Sequence, residues 1–142
     1  GASGMTVMSC VPEVLGFPYG THHSKYVVAF YEAGVRIAIF TQNLIERDWS
    51  VKTGAVWVQD FPLKRTPGSA SAFEASLVSY FREFQDRLSE QERRRRNSAP
   101  NIPALRDLLR RLPEYDFSSA AAHLVASAPG RFTGGDVPRW GA

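Results

Sequence analysis

The chain has 142 residues, 44% of them hydrophobic and 12% aromatic, a size and composition that fit one domain with a buried core. No apolar run reaches the roughly 18 residues of a membrane-spanning helix, and the lone cysteine, Cys10, excludes an internal disulfide and fits a reducing compartment. The net charge is +3, and nine arginines against five acids between Arg82 and Arg111 put the basic excess on a helical and loop segment, by itself a weak argument for nucleic acid.

Residues 1–4, which precede Met5, read as an expression-tag remnant and are set aside. Residues 5–10 can form a short strand, and the glycine and proline cluster at 16–20 reads as a tight loop leading to His23. Residues 25–31 are rich in β-branched and aromatic side chains and predict a strand. A turn at 32–34 and the alternating run at 35–40 predict its antiparallel partner. The free ends of this hairpin lie side by side, which brings Asn43 to His23 and Lys25. Residues 55–58 predict a third strand in the same sheet.

A loop fills 61–70. Ser71 and Glu74 stand in capping-box spacing, and Phe73, Leu77, Tyr80, Phe81, Phe84 and Leu88 recur at helical intervals, which predicts an amphipathic helix over 72–92. A second helix starts near Asn101, tolerates Pro103 in its first turn and stops at Pro113. The alanine-rich run at 120–126 predicts a returning strand, and the glycine-bearing stretch 127–135 a loop. Trp49 and Trp57 read as packing residues, the run from Arg93 to Arg96 as a solvated helix end, and His123 as packed or edge-exposed. The expected fold is α/β, a mixed β-sheet with a central antiparallel hairpin, flanked by helices.

The chemistry concentrates at His23 and Lys25. Residues two apart on an extended strand share a face, so imidazole and ammonium address one point. A phosphodiester needs an in-line nucleophile and positive charge on its non-bridging oxygens. Neutral His23 can attack phosphorus, Lys25 supplies the charge, and Asn43 can donate amide hydrogens without adding a repelling carboxylate. His22 and His23 are adjacent and His123 lies far along the chain, a spacing that suits no metal; no cofactor is expected.

The stretch from Phe17 to Trp49, with Thr21-His22-His23-Ser24-Lys25 and Thr41-Gln42-Asn43, resembles the tyrosyl-DNA phosphodiesterase branch of the phospholipase D superfamily. The likeness continues through Lys52-Thr53 and Trp57 and returns at Ser127 to Phe132 and at Arg139-Trp140-Gly141. It implies an enzyme that removes tyrosine or another adduct from a DNA 3′-phosphate through a phosphohistidine, acting in the nucleus. By position, His23 would be the nucleophile, Lys25 the phosphate clamp and Asn43 the orienting amide. Tyr19, Thr21, Ser127 and Arg131 would contact DNA. Phe30 stands where lipid-cleaving relatives carry an acid, which favours the tyrosyl-DNA branch.

There is one departure. The family often has a glutamine after Lys52-Thr53 to orient the histidine; this chain has Gly54, and Gln59 is the guessed substitute. The superfamily's second His-x-Lys, which supplies the general acid, has no counterpart here. Residues 5–60 are therefore expected to hold the sheet and its His-x-Lys hairpin. Residues 61–142 would hold the helical segment, returning strand and Gly-rich loop, in the same domain or at the start of the second half. Three readings stay open: part of a tyrosyl-DNA phosphodiesterase that needs its missing half, a half-sized nuclease completed by a homodimer mate, or an inert nucleic-acid-binding fragment.

Overall fold

The computed structural model describes residues 23–66, 68, 70–95, 102–128 and 133–136, with side chains through residue 90 in the long helix. The strand expected at 5–10, the 16–20 loop, the arginine side chains at 93–96 and residues 139–141 fall outside this description. Lys25–Phe30 (β1) and Gly34–Phe40 (β2) form the antiparallel hairpin, closed at its turn by the Tyr31 N–H donating to the Gly34 carbonyl at 2.8 Å. Val56–Pro62 (β3) pairs with the other edge of β2, so the order is β1-β2-β3, antiparallel throughout. A short helix the sequence reading missed, Glu46–Val51 (α1), lies between β2 and β3.

Alternation along the strands sorts the side chains onto two faces. Tyr26, Val28, Phe30, Val35, Ile37, Ile39, Trp57 and Phe61 face the core. There they meet Ala72–Arg95 (α2), whose Phe73, Leu77, Tyr80, Phe81, Phe84 and Leu88 are buried at the intervals expected of a helical stripe. Ile102–Arg111 (α3) adds Ile102, Leu105 and Leu108, and a 3₁₀ turn at Leu112–Glu114 follows it. The Phe61 ring lies 4.7 Å from Phe117 and 5.7 Å from Phe73. Burying one such ring stabilises by roughly 1.5–3 kcal/mol.

Helix α2 begins as its sequence predicts, with the Ser71 hydroxyl accepting the Glu74 N–H at 3.2 Å. The second half of the capping box does not close. The Glu74 carboxylate turns to Lys64 Nζ, at 2.9 and 3.0 Å, in a largely buried ion pair. The Lys64 N–H donates to the Glu114 carbonyl and the Asp116 N–H to the Pro62 carbonyl, each at 2.8 Å. The end of β3 is thereby tied both to the start of α2 and to the chain leaving α3.

Residues 120–126 form no strand and run as irregular chain. The Gln59 side chain explains why, since its Nε2 donates to the Ser119 carbonyl at 2.6 Å and its Oε1 accepts the Ala121 N–H at 2.9 Å. A side-chain amide here takes the bonds a neighbouring strand would otherwise offer.

Gly34 is required by close approach: a Cβ there would stand 2.6 Å from the Phe61 carbonyl oxygen, which belongs to the backbone and cannot swing away. Gly34→Ala is expected to lower stability by about 1–3 kcal/mol, the usual cost of overpacking. Denaturant unfolding measures it, and an unchanged midpoint would refute the contact.

Candidate active site

The opposite face of the sheet carries the candidate site. Lys25, Phe40 and Val56 are cross-strand neighbours on it, followed by Val27, Ala38 and Val58, then Ala29, Arg36 and Asp60. Arg36 and Asp60 form a bidentate pair at 2.7 and 2.8 Å. Val27, Val56 and Val58 remain 41–51% exposed, so Lys25 stands at the end of a half-exposed apolar face.

At the open end of the hairpin, Lys25 Nζ lies 2.8 Å from His23 Nδ1. An ammonium can only donate, so Nδ1 accepts and a neutral ring carries its own hydrogen on Nε2. The pairing of β2 with β3 extends one step past the strands, where the Thr41 N–H donates to the Ala55 carbonyl at 3.1 Å and the Ala55 N–H to Thr41 Oγ1 at 2.9 Å. One further step sets Gln42 beside Gly54, where the glutamine carboxamide fills the volume a side chain at 54 would enter.

Asn43 is held from α1. Its backbone N–H and its Nδ2 both donate to Asp48 Oδ2, at 3.1 and 2.8 Å, and Trp49 Nε1 donates to its carbonyl at 2.8 Å. Asp48 is 3% exposed and also pairs with Lys52 one turn on. The Lys52 ammonium, then the Asn43 backbone N–H, hold its carboxyl below the usual carboxylate range against the opposing effect of burial. Among the described residues no hydrogen bond joins Asn43 to His23 or Lys25. One amide hydrogen of Asn43 is committed to Asp48, and the other is not.

The remaining candidates divide. Ser127 lines an apolar cavity of about 100 Å³ with Ser24, Tyr26, Tyr80 and Leu124, so it reaches the start of β1 from the core side, not the face of Lys25. Gln59 is on the core face, committed to Ser119 and Ala121; it does not serve His23. His123 is exposed in the irregular stretch. Trp57 packs 5.6 Å from Phe73 as expected, and Trp49 packs 5.6 Å from Phe40 while staying half exposed. Tyr19, Thr21 and Arg131 lie outside the described residues. No three His, Cys, Asp or Glu side chains gather in metal-binding geometry among the described residues.

Sequence reasoning quoted Gln42 and Lys52 only as part of the family resemblance and gave no role to either or to Asp48. The Asp48–Lys52 spacing of four was the available signal for that pair; the contact of Gln42 with Gly54 had none.

The family model of tyrosyl-DNA phosphodiesterase matches residues 5–142. The chain belongs to the tyrosyl-DNA phosphodiesterase family. Among relatives of this family, it is 34% identical over 135 residues to tyrosyl-DNA phosphodiesterase 1 of Arabidopsis thaliana, covering 89% of this chain and 20% of that protein. It is 27% identical over 128 residues to tyrosyl-DNA phosphodiesterase 1 of Drosophila melanogaster, covering 84% and 19%. A probable tyrosyl-DNA phosphodiesterase of Caenorhabditis elegans is 29% identical over 130 residues, covering 89% and 25%. As a tyrosyl-DNA phosphodiesterase family member, the chain thus spans only about a fifth to a quarter of the length of these relatives.

Proposed function

We propose that this chain carries the nucleophilic half of a phosphodiesterase site that releases tyrosine, or another adduct, from a DNA 3′-phosphate. The observation that supports it is the His23–Lys25 pair, 2.8 Å apart on one face at the open end of a hairpin. Once Lys25 turns to the phosphate and the ring hydrogen has moved through water from Nε2 to Nδ1, His23 Nε2 forms a bond to phosphorus and the bond from phosphorus to the tyrosyl oxygen breaks, leaving a phosphohistidine. The departing phenolate takes a proton from a general acid, and water later cleaves the phosphohistidine. Lys25 and the amide hydrogen of Asn43 that is not committed to Asp48 balance the charge gathering on the non-bridging oxygens.

The sequence has no second His-x-Lys to serve as that acid. The exposed valines beside Lys25 favour a second body over this face, which in this reading is the rest of a longer nuclear DNA-repair polypeptide. Sedimentation with a 3′-phosphotyrosyl oligonucleotide tests it. A monomer that binds is expected, whereas a stable dimer that turns over would show that a second copy completes the site. The mechanism is tested by intact mass after incubation with the same oligonucleotide: a covalent adduct carrying the DNA is expected, and its absence would count against direct attack by His23.

Lys25→Ala is expected to weaken binding of phosphodiester oligonucleotides about tenfold, the scale of one charge-assisted hydrogen bond. The control His22→Ala should have less effect. Equal losses in a titration would reduce Lys25 to general surface charge.

A further inference from the structure

Gln42 has no role in the chemistry so far, yet its carboxamide is fixed in place over Gly54. The β1–β2 register that sets Lys25 against Phe40, carried two residues outward, sets His23 against Gln42. The β2–β3 register sets Gln42 against Gly54. The strand pairing ends at Lys25, Phe40 and Val56; continued by alternation, it puts His23, Gln42 and Gly54 in the next row of the same face, and of these the Gln42–Gly54 approach is the contact the structure shows. A Cβ at residue 54 would overlap the Gln42 carboxamide, so its inward placement depends on the glycine. Gln42 Oε1 is buried and accepts no hydrogen bond among the described residues, an arrangement that calls for an explanation.

The Lys25–His23 contact points to one. With Lys25 on Nδ1, the ring hydrogen is on Nε2, whose lone pair is then unavailable for attack. When phosphate draws Lys25 away, Nδ1 loses its donor, and the productive tautomer needs an acceptor for an Nδ1–H. We propose that Gln42 is the positioning residue for His23: its Oε1 accepts that Nδ1–H and leaves the Nε2 lone pair facing phosphorus. The ring proton moves from Nε2 to Nδ1 through water, with no change in net charge. A neutral amide suits the task, because a carboxylate would favour the protonated imidazolium. The orienting amide that the family resemblance places at residue 54 is in this chain delivered from the neighbouring strand, at residue 42.

The proposal rests on His23 being the nucleophile, and two readouts separate the claims. The first is the ¹⁵N spectrum of the His23 ring during titration with inorganic phosphate near pH 7.5. The wild-type chain is expected to shift from the Nε2–H to the Nδ1–H tautomer. Gln42→Met, which keeps the packing but removes the acceptor, should not shift, and the double variant Gln42→Gly with Gly54→Gln should recover it. The second is the rate of adduct formation, which should fall about 10- to 100-fold in Gln42→Met, the range for outer partners of functional histidines, with oligonucleotide affinity unchanged. No tautomer shift in the wild type, or the same shift in Gln42→Met, overturns the proposal, even if an adduct forms. A shift that depends on Gln42 in a chain that forms no adduct would uphold the contact and count against the nucleophilic role.

Discussion

His23→Ala is expected to abolish the covalent DNA adduct while leaving the thermal unfolding midpoint within error of the parent chain. His23 is exposed and lies just before β1, and its one described hydrogen bond runs to Lys25, so removing the ring breaks no core contact. The core beneath is set by Tyr26, Val28 and Phe30 on the opposite face. Exposed positions away from buried networks rarely move stability by more than about 0.5 kcal/mol. On the proposed role of His23 as nucleophile there is no partial outcome, since Lys25 would still bind phosphate but nothing would form the bond to phosphorus. Intact mass and a melting curve on the same sample decide it. An adduct that survives in His23→Ala would place the nucleophile elsewhere.

The second large effect is expected at Asp48. Asp48→Asn keeps the shape but removes the charge that Lys52 and both Asn43 donors share, and can turn an amide donor toward the Asn43 N–H. Asn43 then loses its anchor, and adduct formation should slow on the order of 10- to 100-fold, as for other residues that hold a functional group from behind. An unchanged rate would show that Asn43 needs no such hold. Acid gives an independent check. The Asp48 carboxyl has a lower pKa in the folded chain than in the unfolded one, so its stabilising contribution is fully present above about pH 4 and declines as pH falls through the folded value. The Asn43 amide signals should follow that decline in the parent chain and not in Asp48→Asn.

The hairpin was legible in the sequence because its information is local. Alternating β-branched and aromatic residues name the strands, and parity alone places His23 with Lys25. Helix α2 was legible for the same reason, its aromatic stripe recurring at helical spacing. Helix α1 was not, since Glu46–Val51 is a six-residue element with too few turns to show a period. The run at 120–126 misled because apolar composition marks burial, not pairing, and Gln59 satisfies the neighbouring backbone instead. The same residue was wrongly offered as a partner for His23, although alternation from Phe61 already assigns it to the core face. Gln42 could be found only by carrying the register of three strands past their ends, and no single strand contains that information.

The turn at 31–33, closed by the Tyr31 N–H on the Gly34 carbonyl, sets which residue of β1 faces which residue of β2. Because side chains alternate, a slip of one residue there would turn Lys25 into the core and bring Ser24 and Tyr26 out in its place. The hairpin thus acts as a ruler whose zero mark is at the far end from the chemistry. A single-residue insertion in that turn would leave every one of these side chains in the sequence and still separate them, so the tolerance of this hairpin to change is set as much by length at its tip as by identity at its mouth.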